Sequence, residues 1–373
     1  MKQTVVFVVV SWLSVAALLP GLAEAQDAAA FPACVPAAAP PPPAPAVQAG
    51  GGRGPGAPVP QRMPRAATVT PIAGVVAAGA AWAKVWQAGG NSADGILADR
   101  DGSALVAQED YDAVLRIDSR DTASVLVSNA KGVGSISMDR QGRLYGAHRT
   151  ERPGSTKPDQ ASIVNALTLL APERRTIAAK WADGTALTVR PNDLAADSQG
   201  GVYFTSGCVY YASAAGAVTV VAERIRTNGI VFSPDDTVLY VTNGVTNGAG
   251  QAGGTIVAFD VKGPGVLANR REFARLPMGN GDGSAVDTAG RLYVTTNAGV
   301  QVFDNTGKDL GLIPTPRGVI SVAFAGPDKK TLYVVGSGAE DANGQPIREG
   351  PQQTAATIYK LPMIAQGVAG RAK

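Results

Sequence analysis

Four residues from distant parts of the chain, Asp94, Asn192, Asn228 and Asp282, each stand at the head of a short apolar run that ends in an Asp or Ser and a turn. Carboxylate and amide oxygens suit a hard divalent cation, and calcium tolerates the irregular, part-aqueous coordination such a set would give. Zinc is a poor match, because the chain has a single histidine, His148, and two widely separated cysteines, Cys34 and Cys208. Asn and Asp at such places also serve simply as turn formers, their side chains bonding nearby backbone amides.

What must position these residues is a recurring unit. In register, the segments read DGILADRDGSALVA from Asp94, GSISMDRQGRLYGA from Gly134, NDLAADSQGGVYFT from Asn192, NGIVFSPDDTVLYV from Asn228, DGSAVDTAGRLYVT from Asp282 and SVAFAGPDKKTLYV from Ser321. Their starts lie 40, 58, 36, 54 and 39 residues apart, a spacing that fits one four-stranded blade per copy with loop insertions in the longer intervals. Further β-branched runs fall between copies, such as TIVAFD and GVQVFD, and helix-period segments are scarce. The pattern predicts an all-β fold, a six-bladed β-propeller over residues 67–373, with WAKVW at Trp82–Trp86 supplying a strand that closes the ring on the last blade. The first strand of each blade lines the channel, so the head residues Asp94, Gly134, Asn192, Asn228, Asp282 and Ser321 are expected to converge at one mouth of it. Asp99, Asp139, Asp197, Asp287 and the equivalent Ser233 precede turns and read as scaffold.

Ahead of the repeats lie two segments of different character. Residues 1–25 have the form of a secretory signal: Lys2, an apolar stretch from Val5 to Leu19, and Ala23-Glu24-Ala25 as a small-residue cleavage site. Residues 26–66, rich in Ala, Pro and Gly, read as a disordered tether. A secreted or periplasmic location follows as the expectation, with no transmembrane segment in the mature chain. Without leader and tether, 29 cations face 28 anions with no basic cluster, which argues against nucleic acid as a partner. In an oxidising compartment Cys34 and Cys208 could pair and staple the tether to the domain; free or intermolecular thiols are equally compatible with the sequence. Oligomeric state is not legible.

Other signals are weaker. GAGQAG at Gly248–Gly253 has the literal dinucleotide spacing but leads into a strand, so it reads as a loop. No G-x-S-x-G element occurs. His148, just after the strand of the second copy, reads as a loop histidine, with a substrate-binding or proton-carrying place beside the pocket as the alternative. Arg149 and Arg152 nearby could hold an anionic substrate, against the commoner role of solvated loop arginines.

RPNDLAAD at Arg190–Asp197, NGIVFSPDDTVLYVTN at Asn228–Asn243 and GDGSAVDTAGRLYVTT at Gly281–Thr296 resemble the blocks of the regucalcin/gluconolactonase (senescence-marker-protein-type) family of six-bladed propellers, over roughly residues 85–361. The resemblance implies a divalent cation, commonly calcium, at the channel mouth and the opening of sugar lactones or related esters. It assigns metal ligation to Asn228 and Asp282, a place near metal and substrate to Asn192, and substrate contact to Arg190. Where the family usually has Glu-Gly in the first blade this chain has Asp94-Gly95, one methylene shorter, so the cation would shift or a water would intervene. In the mechanism this implies, the cation polarises the lactone carbonyl while Asp282 takes the proton of the attacking water; since a cation lowers a carboxylate's basicity, a group behind it is the alternative base. The expectation is an exported metal-dependent hydrolase of a small lactone or ester. A non-catalytic ligand- or protein-binding propeller with a structural cation is the alternative, and another reaction at the same cation is a third reading.

Overall fold

A computed structural model of the protein describes residues 34, 65–88, 93–149, 164–244, 253–347 and 355–369. The segment expected to be a leader and nearly all of the Pro-rich segment lie outside the described residues, as do Arg152 and most of GAGQAG.

The described residues form an all-β structure with no α-helix and one 3₁₀ turn, Glu109–Tyr111. Strand β1 (Ala83–Gln87) is followed by a four-stranded sheet of β2 (Ala93–Ala98), β3 (Ala104–Gln108), β4 (Ala113–Ile117) and β5 (Ala123–Val127). The next sheet holds β6 (Val133–Met138), β7 (Leu144–His148), β8 (Ala166–Ala171) and β9 (Arg175–Ala178). A seven-stranded sheet then runs through β10 (Leu194–Ala196), β11 (Val202–Thr205), β12 (Gly207–Ala212), β13 (Val218–Phe232), β14 (Val238–Asn243), β15 (Thr255–Gly263) and β16 (Val266–Arg275). Long strand β13 pairs with β12 mainly through its first part and with β14 through its last, so it belongs to two successive four-stranded groups. Strands β17 (Ser284–Val286), β18 (Leu292–Thr295), β19 (Gly299–Phe303) and β20 (Asp309–Pro314) form another sheet, and β21 (Val319–Ala325), β22 (Thr331–Ser337) and β23 (Ala356–Pro362) the last.

The last sheet takes its fourth strand from the start of the domain. Strand β1 pairs antiparallel with β23, Ala83 opposite Lys360 and Trp86 opposite Ile358, which is the closure expected of WAKVW. Apolar faces of successive sheets meet in separate clusters. Tyr293 and Val302 pack against Phe324 and Val334, and Ile96 and Val106 pack against Val335 and Ile358, bringing the last sheet back to the first. The inner part of each sheet is thus covered on both faces, which explains why strands such as β3 and β19 are buried along their whole length without alternation.

The turn aspartates are scaffold. One carboxylate oxygen caps the turn, as Asp287 does by accepting the amides of Ala289 and Arg291 at 2.9 Å. The other accepts a tyrosine hydroxyl, from the following strand for Tyr145 on Asp139 and Tyr293 on Asp287 and from the strand after it for Tyr211 on Asp197.

Cys34 and Cys208 form a disulfide with a Cα separation of 5.6 Å, closing a loop of 174 residues. Cys34 is buried among Tyr145, Leu169 and Phe204, and its carbonyl accepts the Tyr210 hydroxyl. Replacing Cys34 with Ala is expected to lower unfolding stability in urea by about 2–4 kcal/mol, the usual worth of closing a long loop. The reduced parent should match the variant, and a parent insensitive to reductant would show that the bridge does not form in solution.

Candidate functional site

The inner strands β2, β6, β10, β13, β17 and β21 come together because the residue after the head is small or polar in five copies, Gly95, Ser135, Asp193, Gly229 and Gly283, and the sixth supplies Ser321. Gly229 follows Asn228, and a Cβ on it would lie 2.1 Å from the carbonyl oxygen of Asp282; one on Gly95 would lie 2.8 Å from the backbone of Ser135 and Ile136. Only glycine permits these approaches. In the third copy the glycine is replaced by Asp193, whose buried carboxylate accepts the Ser135 hydroxyl at 2.8 Å and the amides of Leu194 and Ile230 at 2.9 and 3.1 Å. The Asn-Asp pair therefore divides its work: Asp193 ties three inner strands together and Asn192 faces the site.

Head residues are fixed from the second strand as well. Asn192 and Asp282 donate their amides to the carbonyls of Thr205 and Thr295 at 2.8 and 3.0 Å. The Thr205 hydroxyl bonds the Asn228 carbonyl at 2.5 Å, and that of Thr242 accepts the Gly229 amide at 2.7 Å. These threonines recur at the end of three copies, a signal present in the repeat and not used in reading it.

Asp94, Ser135, Asn192, Asp193, Asp282 and Ser321 line one small recess of about 10 Å³, a volume near that of a single water or ion. Asn228 adjoins it: the Asn192 side-chain amide donates to Asn228 Oδ1 at 2.5 Å, and Asn228 favours the charged form of the Asp282 carboxylate. Asn192 is shared with a second, larger cavity of about 480 Å³, whose polar wall includes Arg190, Ser206, Arg226, Thr227, Asn228 and Asn280. The expected group of Asp94, Asn192, Asn228 and Asp282 is thus brought together, with Ser321 beside it and Arg190 at the cavity next door. Gly134 lies under Arg149 and does not line the recess.

Two residues outside the expected ring, Arg149 and Glu109, join the group. Arg149 is buried: Nη2 lies 2.5 Å from Asp94 Oδ2, Nε lies 2.9 Å from Glu109 Oε2, and Nη1 lies 3.0 Å from Asn192 Oδ1. Glu109, also buried, receives Arg190 Nη2 on its other oxygen at 3.2 Å. The reading of Arg149 as a solvated loop arginine is therefore corrected. So is the alternative place of His148 beside the pocket: the chain leaves β7 at His148, and the next residue, Arg149, takes the inward place among Asp94, Glu109 and Asn192. His148 lines neither cavity among the described residues; its Nδ1 lies 2.6 Å from the Lys131 carbonyl, and burial holds its pKa below the ordinary value.

Electrostatics separate the two carboxylates. Burial raises Asp94, but Arg149 opposes the rise. Burial would lower Arg149, yet Asp94 and Glu109 hold it above its usual value, so it stays charged. Asp282 is pushed well above the carboxylate range by burial and then by the negative neighbours Asp94 and Asp193, with only the Asn228 hydrogen bond and the more distant Arg149 acting against this. Among the described residues no cation lies within ion-pair distance of Asp282, and no three His, Cys, Asp or Glu side chains form a metal cluster. The donors at the recess are carboxylate and amide oxygens, and the uncompensated Asp282 fits a hard cation.

Antiparallel sheets packed face to face around an axis, with polar side chains from distant segments meeting there, define a propeller-like protein. The chain belongs to the SMP-30/Gluconolactonase/LRE-like region family, whose profile matches residues 94–338. It is 31% identical over 195 residues to the pentonolactonase XacC of Haloferax volcanii, covering 48% of this chain and 64% of that protein. A gluconolactonase of Zymomonas mobilis is 27% identical over 175 residues, 39% of this chain and 48% of its own. The chain therefore spans about half to just under two thirds of these curated relatives. Among solved structures, a gluconolactonase from Xanthomonas campestris superposes with a TM-score of 0.61 at 24% identity, covering 83% of this chain and 98% of its own. A calcium-binding regucalcin from Agrobacterium tumefaciens does so at 0.56 and 18%, covering 81% and 97%. These likenesses establish the shared fold.

A carboxyl whose pKa the fold raises stabilises the folded state while protonated, and that stability is lost as pH rises through its folded value. In chelator, Asp282→Asn is therefore expected to melt a few degrees above the parent at pH 7.5, since the amide escapes the cost of a buried, uncompensated charge. The gap should close below about pH 4, under the ordinary carboxylate pKa. Coincident melting curves at pH 7.5 would show that Asp282 carries no such burden.

Proposed function

We propose that the protein is an exported lactone hydrolase of the sugar-lactone kind, built as a six-bladed β-propeller with a divalent cation, calcium by donor chemistry, at its channel mouth. The blade count takes the seven-stranded sheet as two blades sharing β13. Export is supported by the form of residues 1–25 and by the disulfide. The lactonase relatives support the reaction class.

One observation carries the reading: Asp282 faces a recess of ion size with no cation beside it, adjoining a polar cavity of about 480 Å³. Asp282, Asn228 and Asn192 are the groups that would hold the ion, which when bound would polarise the lactone carbonyl and stabilise the developing oxyanion. Asn192, where the two spaces meet, and Arg190 in the wall of the larger one orient the hydroxylated ring. Asp282, fixed by Asn228, takes a proton from the water that attacks the carbonyl carbon. As the carbon–oxygen bond of the ring breaks, that proton passes to the departing oxygen, leaving a hydroxy acid.

The test is a panel of aldonolactones and aryl esters assayed in chelator and with added calcium. Turnover should disappear in chelator and return with calcium, and Asp282→Asn should lower kcat by about 10²–10⁴-fold while keeping the β-sheet circular dichroism of the parent. Calcium that raises the melting temperature while the whole panel stays inert would favour a non-catalytic binding propeller.

A further inference from the structure

The side chains expected around a cation already hold one. The Arg149 guanidinium contacts Asp94 at 2.5 Å, Glu109 at 2.8 Å and Asn192 Oδ1 at 3.0 Å. It rests directly on Gly134: a Cβ there would fall 1.9 Å from Arg149 Nε, so the guanidinium is seated on bare backbone. Guanidinium does not deprotonate in proteins, so this charge is permanent. Any ion ligated by Asp94 would sit beside it, and like charges sharing one carboxylate disfavour each other.

We infer that Arg149 is a built-in counter-cation that withholds Asp94 and constrains Asn192, so that an added divalent ion is held from the Asp282–Asn228 side with an affinity set by Arg149. The inference rests on the cation reading above. It follows from a run of polar contacts, in which Arg149 donates to Asn192 and Asn192 donates to Asn228, and Asn228 is the neighbour that favours the charged form of Asp282. Asp94 lies at the neutralised end of that run and Asp282 at the uncompensated end. Arg149 acts here as a positioning residue.

Calcium chloride titrated calorimetrically into the parent, Arg149→Gln, Asp94→Asn and the double variant tests it. Arg149→Gln leaves Glu109 paired with Arg190 and should bind calcium at least about tenfold more tightly. Asp94→Asn alone should stay within about threefold of the parent, yet remove most of the gain in the Arg149→Gln background. Arg149→Lys, which keeps the charge, should bind like the parent. If Arg149→Gln does not fold, the Asp94→Asn and Arg149→Lys results decide. A tenfold loss in Asp94→Asn alone, or weaker binding by Arg149→Gln, would overturn the inference. Binding by Arg149→Gln with none by the parent would support it while ending the cation reading for the parent; no binding by any variant would end both.

Discussion

The inner strand of each sheet has an edge with no strand beside it, and its amides must find partners there. Side chains from neighbouring sheets supply them. Ser321 Oγ accepts the Ile96 amide, Ser137 Oγ that of Ala196, and an Asp193 oxygen that of Ile230, at 3.4, 3.0 and 3.1 Å. Strands that meet at an axis therefore require short polar residues in that place, whatever the protein does. The chemistry is laid over this requirement: Asp193 and Ser321 serve the backbone, while Asn192, Asn228 and Asp282, one position nearer the mouth in their copies, are left facing open space.

That division explains what could be read in advance. Asp94, Asn192, Asn228 and Asp282 were legible because they occupy one position of a repeat, and the repeat carried the fold with them. Arg149 and Glu109 were not, because they sit beyond the ends of β7 and β3, outside the aligned segments, and their roles depend on which way those ends turn. The same uncertainty misplaced His148: one residue of strand phase decides between the site and the opposite side. Asp193 and the threonines at 205, 242 and 295 were visible departures and recurrences whose meaning needed the neighbouring sheet. The cysteine pairing joins positions 174 residues apart, a distance over which spacing alone says nothing.

Charge is graded across the site. At one end Glu109 and Asp94 enclose Arg149, with Arg190 reaching the far side of Glu109. At the other, Asp282 has two like-charged neighbours and an amide. A buried ion pair adds little net stability once desolvation is counted. The paired end thus contributes mainly a fixed geometry, against which the unpaired end can act as the reactive one.

Closure of the ring by β1 and β23 ties residues 83–87 to residues 357–360. During synthesis β1 emerges long before its partner β23 exists, and of the five sheets described theirs is the last to be completed. Intermediate sheets can stack in turn as they appear, but the circle cannot shut until residues 357–360 have been made. Pairing across so long a stretch of chain makes this junction a late event, and until then both flanks of the nascent ring present bare edges to whatever surrounds them.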